Sequence, residues 1–169
     1  NMGVNETGMG NVGDKILKHH LTADKVPGTE DISTIAWSGD RGLTLVEMGP
    51  FGVIGAITPA TNPSETVICN CIGMLDKRNI YDVIIGNPNA KKTTIYTINM
   101  INEASIEAGG PDNIAVTVEA PTLDTSAIMM KHPSIHLLVA TGGPGVVTAV
   151  LSSGKRAIGA GAGNPPVLV

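Results

Sequence analysis

Short, almost wholly apolar runs alternate with longer amphipathic segments along most of this 169-residue chain. The runs are rich in Val, Ile and Leu, and their length of about four to eight residues is typical of strands buried on both faces of a sheet. They predict strands at 43–49, 51–58, 81–86, 112–119, 135–141 and 155–161, followed by an extended segment at 165–169.

The segments between these runs predict helices, because their apolar residues recur every three or four positions. One helix is expected to begin at Asn62 or Ser64 and to end near Lys77, and a long one carries a stripe of isoleucines and closes at two glycines. The inner side of the first is expected at Val67, Ile68, Cys71, Met74 and Leu75, and the stripe of the second at Ile95, Ile98 and Ile101. The predicted helices are 13–23, 62–77, 89–110, 122–132 and 144–154.

Repeated alternation of strand and helix predicts an α/β fold with a Rossmann-like parallel sheet, right-handed crossovers and helices on both faces. The first forty residues differ in kind, since one helix is followed by an irregular stretch rich in Pro, Gly and charge at 23–42. We therefore predict a lead-in segment, 1–42, that packs on a nucleotide-binding domain, 43–169.

Three unusual loops follow predicted strands, and open parallel sheets bind their ligands at the carboxyl ends of the strands. The loops are "TPATNP" at 58–63, "ATGGPGVV" at 140–147 and "GAGAGNPP" at 159–166. Asn62, placed between two prolines, is either a helix-capping residue or a polar group aimed at a reacting carbonyl. The second loop is either a phosphate-binding turn or a tight turn without a ligand, and the third either a floor for a flat ligand or a place of close packing.

Composition narrows the possible functions. The net charge is −4, the 11 basic residues are scattered, and four aromatics offer no base-stacking platform, so nucleic acid is not expected as a partner. No apolar run reaches the roughly 18 residues needed to cross a bilayer, and the start lacks a signal peptide, so we expect a soluble, cytoplasmic protein without a membrane partner.

Cysteine and histidine spacing predicts no metal site. Cys69 and Cys71 point apart on one helix and are interpreted as structural core residues. The four histidines are interpreted as surface or packing residues: His19, His20, His132 and His136.

Several long stretches together resemble the CoA-acylating aldehyde dehydrogenases of propanediol and ethanolamine utilisation. They are "ETGMG", "DKILK", "PFGVIGAITPATNPSET", "NPNAKKTT", "EAGGPDNI", "LLVATGGPGVVTAVLSSGK" and "AIGAGAGNPPVLV". The resemblance implies an aldehyde dehydrogenase fold whose Rossmann-like domain binds NAD and coenzyme A. It also implies that a short aldehyde, NAD and CoA are converted to acyl-CoA and NADH through a cysteine thioester. That cysteine is expected beyond the last matched motif.

The resemblance also implies site residues. Thr61 and Asn62 occupy the loop that donates to the oxyanion, and Asn62 is preferred because its amide has two donors. Gly159 stands where hydrolytic relatives carry a water-activating Glu, which suits a thioester that CoA must attack. The residues assigned to NAD and CoA are Thr58, Pro59, Ala60, Asn87, Pro88, Thr141, Gly142, Gly143, Pro144, Gly145, Gly159, Ala160 and Gly161.

The same family implies one adenine cleft for which NAD and CoA compete, a homo-oligomer when full length, and the cytoplasm or a bacterial microcompartment as the location. Two other hypotheses stay open. One is a nucleotide-binding fragment without catalysis of its own. The other is the amino-terminal part of a bifunctional aldehyde-alcohol dehydrogenase.

Overall fold

The computed structural model of this protein describes residues 1–75, 81–161, 163 and 167. Helices and strands alternate from residue 53 onward, as the apolar pattern predicts. The helices are α1 Met2–Thr7, α2 Val12–Lys25, α3 Pro63–Leu75, α4 Lys91–Glu107, α5 Leu123–Lys131 and α6 Pro144–Leu151, with 3-10 turns at Thr29–Ile32 and Pro88–Ala90. The strands are β1 Ile35–Gly39, β2 Gly42–Val46, β3 Val53–Ile57, β4 Asp82–Ile85, β5 Ala115–Thr117, β6 Ile135–Thr141 and β7 Arg156–Ala160.

Five of the strands form one parallel sheet in the order β5-β4-β3-β6-β7. From β3 the chain winds outward through β4 to β5, returns to the other side of β3 as β6, and then winds outward again to β7. The strand order therefore reverses between β3 and β6, and the carboxyl ends of these two strands border the crevice where sheets of this kind bind ligands. The predicted α/β architecture is confirmed.

Helices cover both faces of the sheet, which explains why its strands are apolar on both sides. On one face, Ile54 and Ile84 pack with residues of α3 and α4, including Val67 and Ile98. On the other face, Leu138 belongs to the cluster that includes residues of α5 and α6. The remaining members of that second cluster are Ile57, Ile85, Met129, Ile135, Ala140 and Val150.

A separate antiparallel hairpin corrects the prediction that residues 23–42 are irregular, because β1 pairs with β2 outside the parallel sheet. The apolar residues of "TIAW" and "LTLV" flank a tight turn at Asp40 and Arg41, a hairpin pattern hidden by the surrounding Pro, Gly and charged residues. Large apolar side chains of this hairpin are more than half exposed: Trp37, Leu43 and Leu45.

The buried face of α4 differs from the predicted stripe of isoleucines. The buried face of α4 is formed by Thr93, Thr94, Thr97 and Ile98, whereas Ile95 and Ile101 are only partly buried. The threonines fit because two of them satisfy their hydroxyls on backbone carbonyls four residues earlier, Thr94 on Ala90 and Thr97 on Thr93.

In α3 the prediction for Cys71 is confirmed and the one for Cys69 is wrong. Cys71 is buried against the sheet, but Cys69 is exposed because it lies about 200° around the helix. The predicted end of this helix at Lys77 and most of the extended segment 165–169 lie outside the described residues.

Candidate active-site cleft

The three loops singled out in the sequence follow β3, β6 and β7, which are adjacent strands of the sheet. The second and third loops are joined directly, because Thr141 pairs with Ala160 in register and the Gly142 N–H donates to the Ala160 carbonyl at 3.1 Å. Parallel strands place these ends at one edge, as predicted. Gly159 and Ala160 end the last strand, and Gly161 follows them.

A cleft of about 590 Å³ lies at this edge and brings two of the predicted site residues together. Asn62 and Thr141 both line it, as does Thr66 on α3. The opposite wall comes from α2, through residues that include Lys18 and Lys25. The amino-terminal helix, predicted only to pack on the domain, therefore forms part of the candidate site.

The loop after β3 is fixed by both backbone and side chains. Thr58 is buried, and its N–H donates to the Ile85 carbonyl at 3.1 Å, which continues the sheet by one residue. Its hydroxyl has no hydrogen-bond partner among the described residues. Pro59 and Ala60 are half-buried, and Thr61 is exposed. The side chain of Thr61 is thus accessible, while its carbonyl accepts from the Lys15 ammonium.

Asn62 uses its side chain for something other than capping α3. Its amide oxygen accepts from Lys15 Nζ at 3.0 Å and from Lys18 Nζ at 3.1 Å. Only its backbone carbonyl serves the helix, by accepting from the Thr66 N–H at 3.0 Å. No described residue accepts from Nδ2 of Asn62. The amide therefore keeps both donors available, which favours the hypothesis of a polar group aimed at a ligand over that of a capping residue.

A charged and polar network supports this loop from beneath. Lys15 forms an ion pair with Glu65 at 3.2 Å, and both side chains are largely buried. The hydroxyl of Ser64 donates to Glu65 at 3.1 Å and lies 2.7 Å from Nε2 of His19. Burial acts to raise the pKa of Glu65, but the Glu65 backbone N–H, Lys15 and Ser64 outweigh it and hold that pKa below its ordinary value. Glu65 therefore stays ionised and anchors Lys15 under the loop.

The glycine-rich turn between β6 and α6 is open to the surroundings. Gly143 is the N-cap of α6, and no side chain caps this helix. The N–H groups of Val146 and Val147 turn back to the Gly143 carbonyl, whereas those of Gly143 and Gly145 donate to no described residue. Gly143, Pro144 and Gly145 are exposed, and a Cβ at either glycine would meet no described atom within 4 Å. Free N–H groups at a helix N-terminus fit an anionic ligand.

Gly159 has a packing reason for being glycine. A Cβ at this position would lie 2.7 Å from Cγ1 of Val147 on α6, which is closer than such contacts occur. The hypothesis of close packing is therefore supported at Gly159, whereas the interpretation that this glycine replaces the water-activating Glu of hydrolytic relatives stays a prediction. At Gly161 a Cβ would meet no atom of the described residues within 4 Å.

Asn87 and Pro88 do not line this cleft. The side chain of Asn87 accepts from the Asn89 N–H at 3.0 Å, and its carbonyl accepts from Ala90 at 2.9 Å, so both oxygens are used to form the turn into α4. Their assignment to the adenosine side of a cofactor stays a prediction.

Lys15, Lys18 and His19 were missed by sequence reasoning, although the two lysines contact the loop that it selected and His19 contacts Ser64 directly after it. Their spacing of three and four residues places them on one face of α2, and this was the available signal. What the sequence could not show is that this face meets residues 61–64, which lie more than forty positions further along the chain.

Comparison with known proteins agrees with this fold. The family model described as "Aldehyde dehydrogenase family" matches residues 6–168, and the chain belongs to that family. It is 71% identical to the propionaldehyde dehydrogenase from the Clostridium phytofermentans fucose utilisation bacterial microcompartment, with a TM-score of 0.92 over 98% of this chain and 38% of that one.

Two further relatives extend the comparison. A propionaldehyde dehydrogenase of Rhodopseudomonas palustris, solved with bound CoA and an acylated cysteine, is 55% identical with a TM-score of 0.91, over 98% of this chain and 37% of that one. The CoA-propanoylating propanal dehydrogenase of Salmonella typhimurium is 49% identical over 98% of this chain and 35% of its own length. The chain thus spans little more than a third of these relatives.

Among the described residues, no helix combines the length and the apolarity required to cross a membrane.

Proposed function

We propose that a complete enzyme containing this segment converts a short aldehyde, NAD and CoA into acyl-CoA and NADH through a cysteine thioester. The observation that carries the proposal is the Asn62 amide, whose oxygen is held by two lysines and whose donors are free at the cleft that Thr141 also lines. The likeness to CoA-acylating aldehyde dehydrogenases over nearly the whole chain supports the reaction class.

This segment supplies binding and electrostatic groups, and the attacking cysteine belongs to another part of the enzyme. When bound, NAD takes up the two electrons released as the aldehyde becomes a thioester, and CoA supplies the thiol that removes the acyl group. The Asn62 Nδ2 donates to the oxygen of the aldehyde carbon as negative charge develops on it. Thr61, exposed beside it, is the other residue to which the family resemblance assigns this role.

The open turn 141–145 is the proposed site for the pyrophosphate that NAD and CoA both carry. The free N–H groups of Gly143 and Gly145 and the absence of side chains around them fit a phosphate approaching the backbone closely. Because NAD and CoA would both place their pyrophosphate at this turn, the two ligands compete. The family resemblance alone suggests a homo-oligomer when full length. A microcompartment location is supported by a relative that comes from such a compartment.

The role of Asn62 is tested by replacing it with Asp in the complete enzyme. Asp retains an oxygen for both lysines, removes the amide donors and adds a negative charge that also opposes the oxyanion, so we expect kcat to fall about 10²- to 10³-fold while the KM for NAD and CoA changes little. Formation of NADH and of acyl-CoA measures the reaction. Asn99→Asp, an exposed amide on α4, is the control. Unchanged kcat in the Asn62 variant would leave this segment with cofactor binding alone.

Competition is tested by titrating NAD into the complete enzyme with and without saturating CoA. We expect CoA to weaken the apparent affinity for NAD, and independent binding would refute the shared turn.

A further inference from the structure

Two ammonium groups from one helix converge on a single amide oxygen. Lys15 and Lys18, one turn apart on α2, both donate to Oδ1 of Asn62, at 3.0 and 3.1 Å. The lysines differ in their other contacts. Lys15 also donates to the Thr61 carbonyl and pairs with Glu65, whereas the ammonium of Lys18 has no second partner among the described residues.

The orientation of the Asn62 amide follows from the chemistry of its neighbours. An ammonium group can donate and cannot accept, so the amide atom that faces the two lysines must be the oxygen. The reversed orientation would place the amide NH₂ against two cations. Both lone pairs of the oxygen are used, and the two N–H donors are consequently held on the side away from α2.

The same contacts strengthen the donors. A cation bound to an amide oxygen draws electron density from the nitrogen, which makes its N–H groups better donors, as in other chained hydrogen bonds. Glu65 balances the charge of Lys15, but no carboxylate among the described residues pairs with Lys18. An additional positive charge therefore lies next to the amide that is assigned to a developing oxyanion.

We propose that Lys15 and Lys18 are positioning residues for the reaction, because they orient and polarise Asn62 so that its Nδ2 faces the reacting carbonyl oxygen. This inference rests on the proposed function of Asn62. The loop contains no group that orients this amide. The two lysines of the amino-terminal helix align it before substrate binds. Lys18 gives the cleaner test, since Lys15 also supports Thr61 and Glu65.

The experiment compares Lys18→Met and Lys18→Arg in the complete enzyme, each alone and combined with Asn62→Ala. We expect Lys18→Met to lower kcat about 10-fold or more, with the KM for NAD and CoA within twofold, because small misplacements of a catalytic donor reduce turnover strongly. Lys18→Arg keeps a cationic donor and should retain most of the turnover. In the Asn62→Ala background Lys18→Met should have no further effect.

Lys131→Met, which removes one charge at the distant end of α5, is the matched control and should leave kcat unchanged. Thermal melting of each variant checks that the fold is retained, which the exposure of Lys18 favours.

Each of the other results would overturn the inference. If Asn62→Ala lowers kcat but Lys18→Met does not, or if the two losses multiply, Lys18 does not act through Asn62 and the inference is overturned while the proposed function stands. A change confined to KM would mean that Lys18 contacts a ligand directly, which also overturns it. If Asn62→Ala itself leaves kcat unchanged, the oxyanion role in the proposed function fails first, and the inference falls with it.

Discussion

The two strands that flank β3 each feed a helix at the same edge of the sheet, yet the two connections differ completely. At the start of α4, the carboxylate of Glu6 on α1 accepts from the N–H groups of Lys92 and Thr93 at 2.8 and 2.7 Å, and from the Thr93 hydroxyl at 2.7 Å. At the start of α6, no side chain caps the helix, and Gly143 and Gly145 are exposed.

This difference shows that a helix dipole alone does not create an anion site. Both helices present N–H groups at their first turn, but those of α4 are already bound to a carboxylate of the same chain. Burial acts to raise the pKa of Glu6, and the Thr93 hydroxyl with the Lys92 and Thr93 N–H groups outweighs it and lowers that pKa. An incoming phosphate would have to displace an ionised, well-bonded group at α4, whereas at α6 it would meet free donors.

The strands that lead into these connections differ as well. Strand β6 carries apolar residues at its buried positions, whereas β4 begins with Asp82, which is fully buried beside Ile54 and Ala115. Neither carboxylate oxygen has a hydrogen-bond partner among the described residues. Burial raises the pKa of Asp82 to about 7. Burial, and then the charge of Asp82, raise the pKa of the Cys71 thiol on α3.

The largest effect is expected from Asp82→Asn. The pKa of this carboxyl is about 7 in the folded chain and near 3.8 when exposed, so folding takes up a proton between these values. Stability therefore falls as pH rises from about 4 to 7 and is lowest above pH 7. Asn cannot ionise, so at pH 8 the variant should be more stable by up to about 4 kcal/mol, with little gain at pH 4.

Urea unfolding between pH 4 and 8 measures this difference. Asp24→Asn, at an exposed position of α2, is the control and should follow the wild type. If Asp82→Asn leaves the pH dependence of stability unchanged, ionisation of Asp82 does not destabilise the folded chain.

The next effect is expected from Gly86→Ala, at the end of β4. A Cβ there would lie 2.5 Å from Oγ1 and 2.9 Å from Cβ of Thr94, a buried residue on α4 that cannot turn away while its hydroxyl bonds the Ala90 carbonyl. Crowding of this kind costs about 1–3 kcal/mol. Gly143→Ala in the other connection meets no described atom within 4 Å and should cost only the N-cap preference of Gly over Ala, less than about 1 kcal/mol, in the same unfolding experiment. Equal effects of the two variants would contradict the contrast between a closed and an open connection.

Glu6→Gln should cost about 1 kcal/mol of stability, since it keeps one acceptor for the first turn of α4 and loses the charge. The contribution of the carboxylate is present above its ordinary pKa of 4.5 and is lost as pH falls through the lower pKa of the folded chain. The difference between wild type and variant should therefore shrink below about pH 4.5. Glu103→Gln, exposed on the same helix, is the control. A difference that persists at low pH would exclude the charge as its source.

Local sequence was sufficient for the parts of this fold that depend on near neighbours. The strand containing Ile54 and Ile57 was predictable because both faces of the sheet are covered, and α5 was predictable because Thr122 and Thr125 form a capping box. The open glycine turn was also predictable, since its character depends on the absence of side chains. Each of these features can be read within about ten residues.

Contacts between distant segments were not predictable in the same way. The cap that Glu6 provides to α4 spans 87 positions, and the bond from Lys15 to Asn62 spans 47. The hairpin β1–β2 was missed because the Pro, Gly and charged residues around its first strand conceal the apolar residues of that strand. The chemistry of Asn62 could thus be proposed from its loop, whereas the groups that orient it required the packing of α2 on α3.

The smallest change in stability is expected from Gly145→Ala. This variant sharpens the comparison because its folding stability should rise while its affinity for NAD falls. Gly145 lies in the first turn of α6 with open space around it, so Ala should stabilise the helix by about 0.5 kcal/mol. In the complete enzyme the added methyl group should weaken NAD binding, because it stands where a phosphate would approach the free N–H. Urea unfolding measures the first effect and calorimetric titration the second. Glu6→Gln should give the opposite pattern, with lower stability and unchanged NAD affinity. If Gly145→Ala leaves NAD affinity unchanged, the turn does not hold the pyrophosphate, and its openness has no bearing on the ligand.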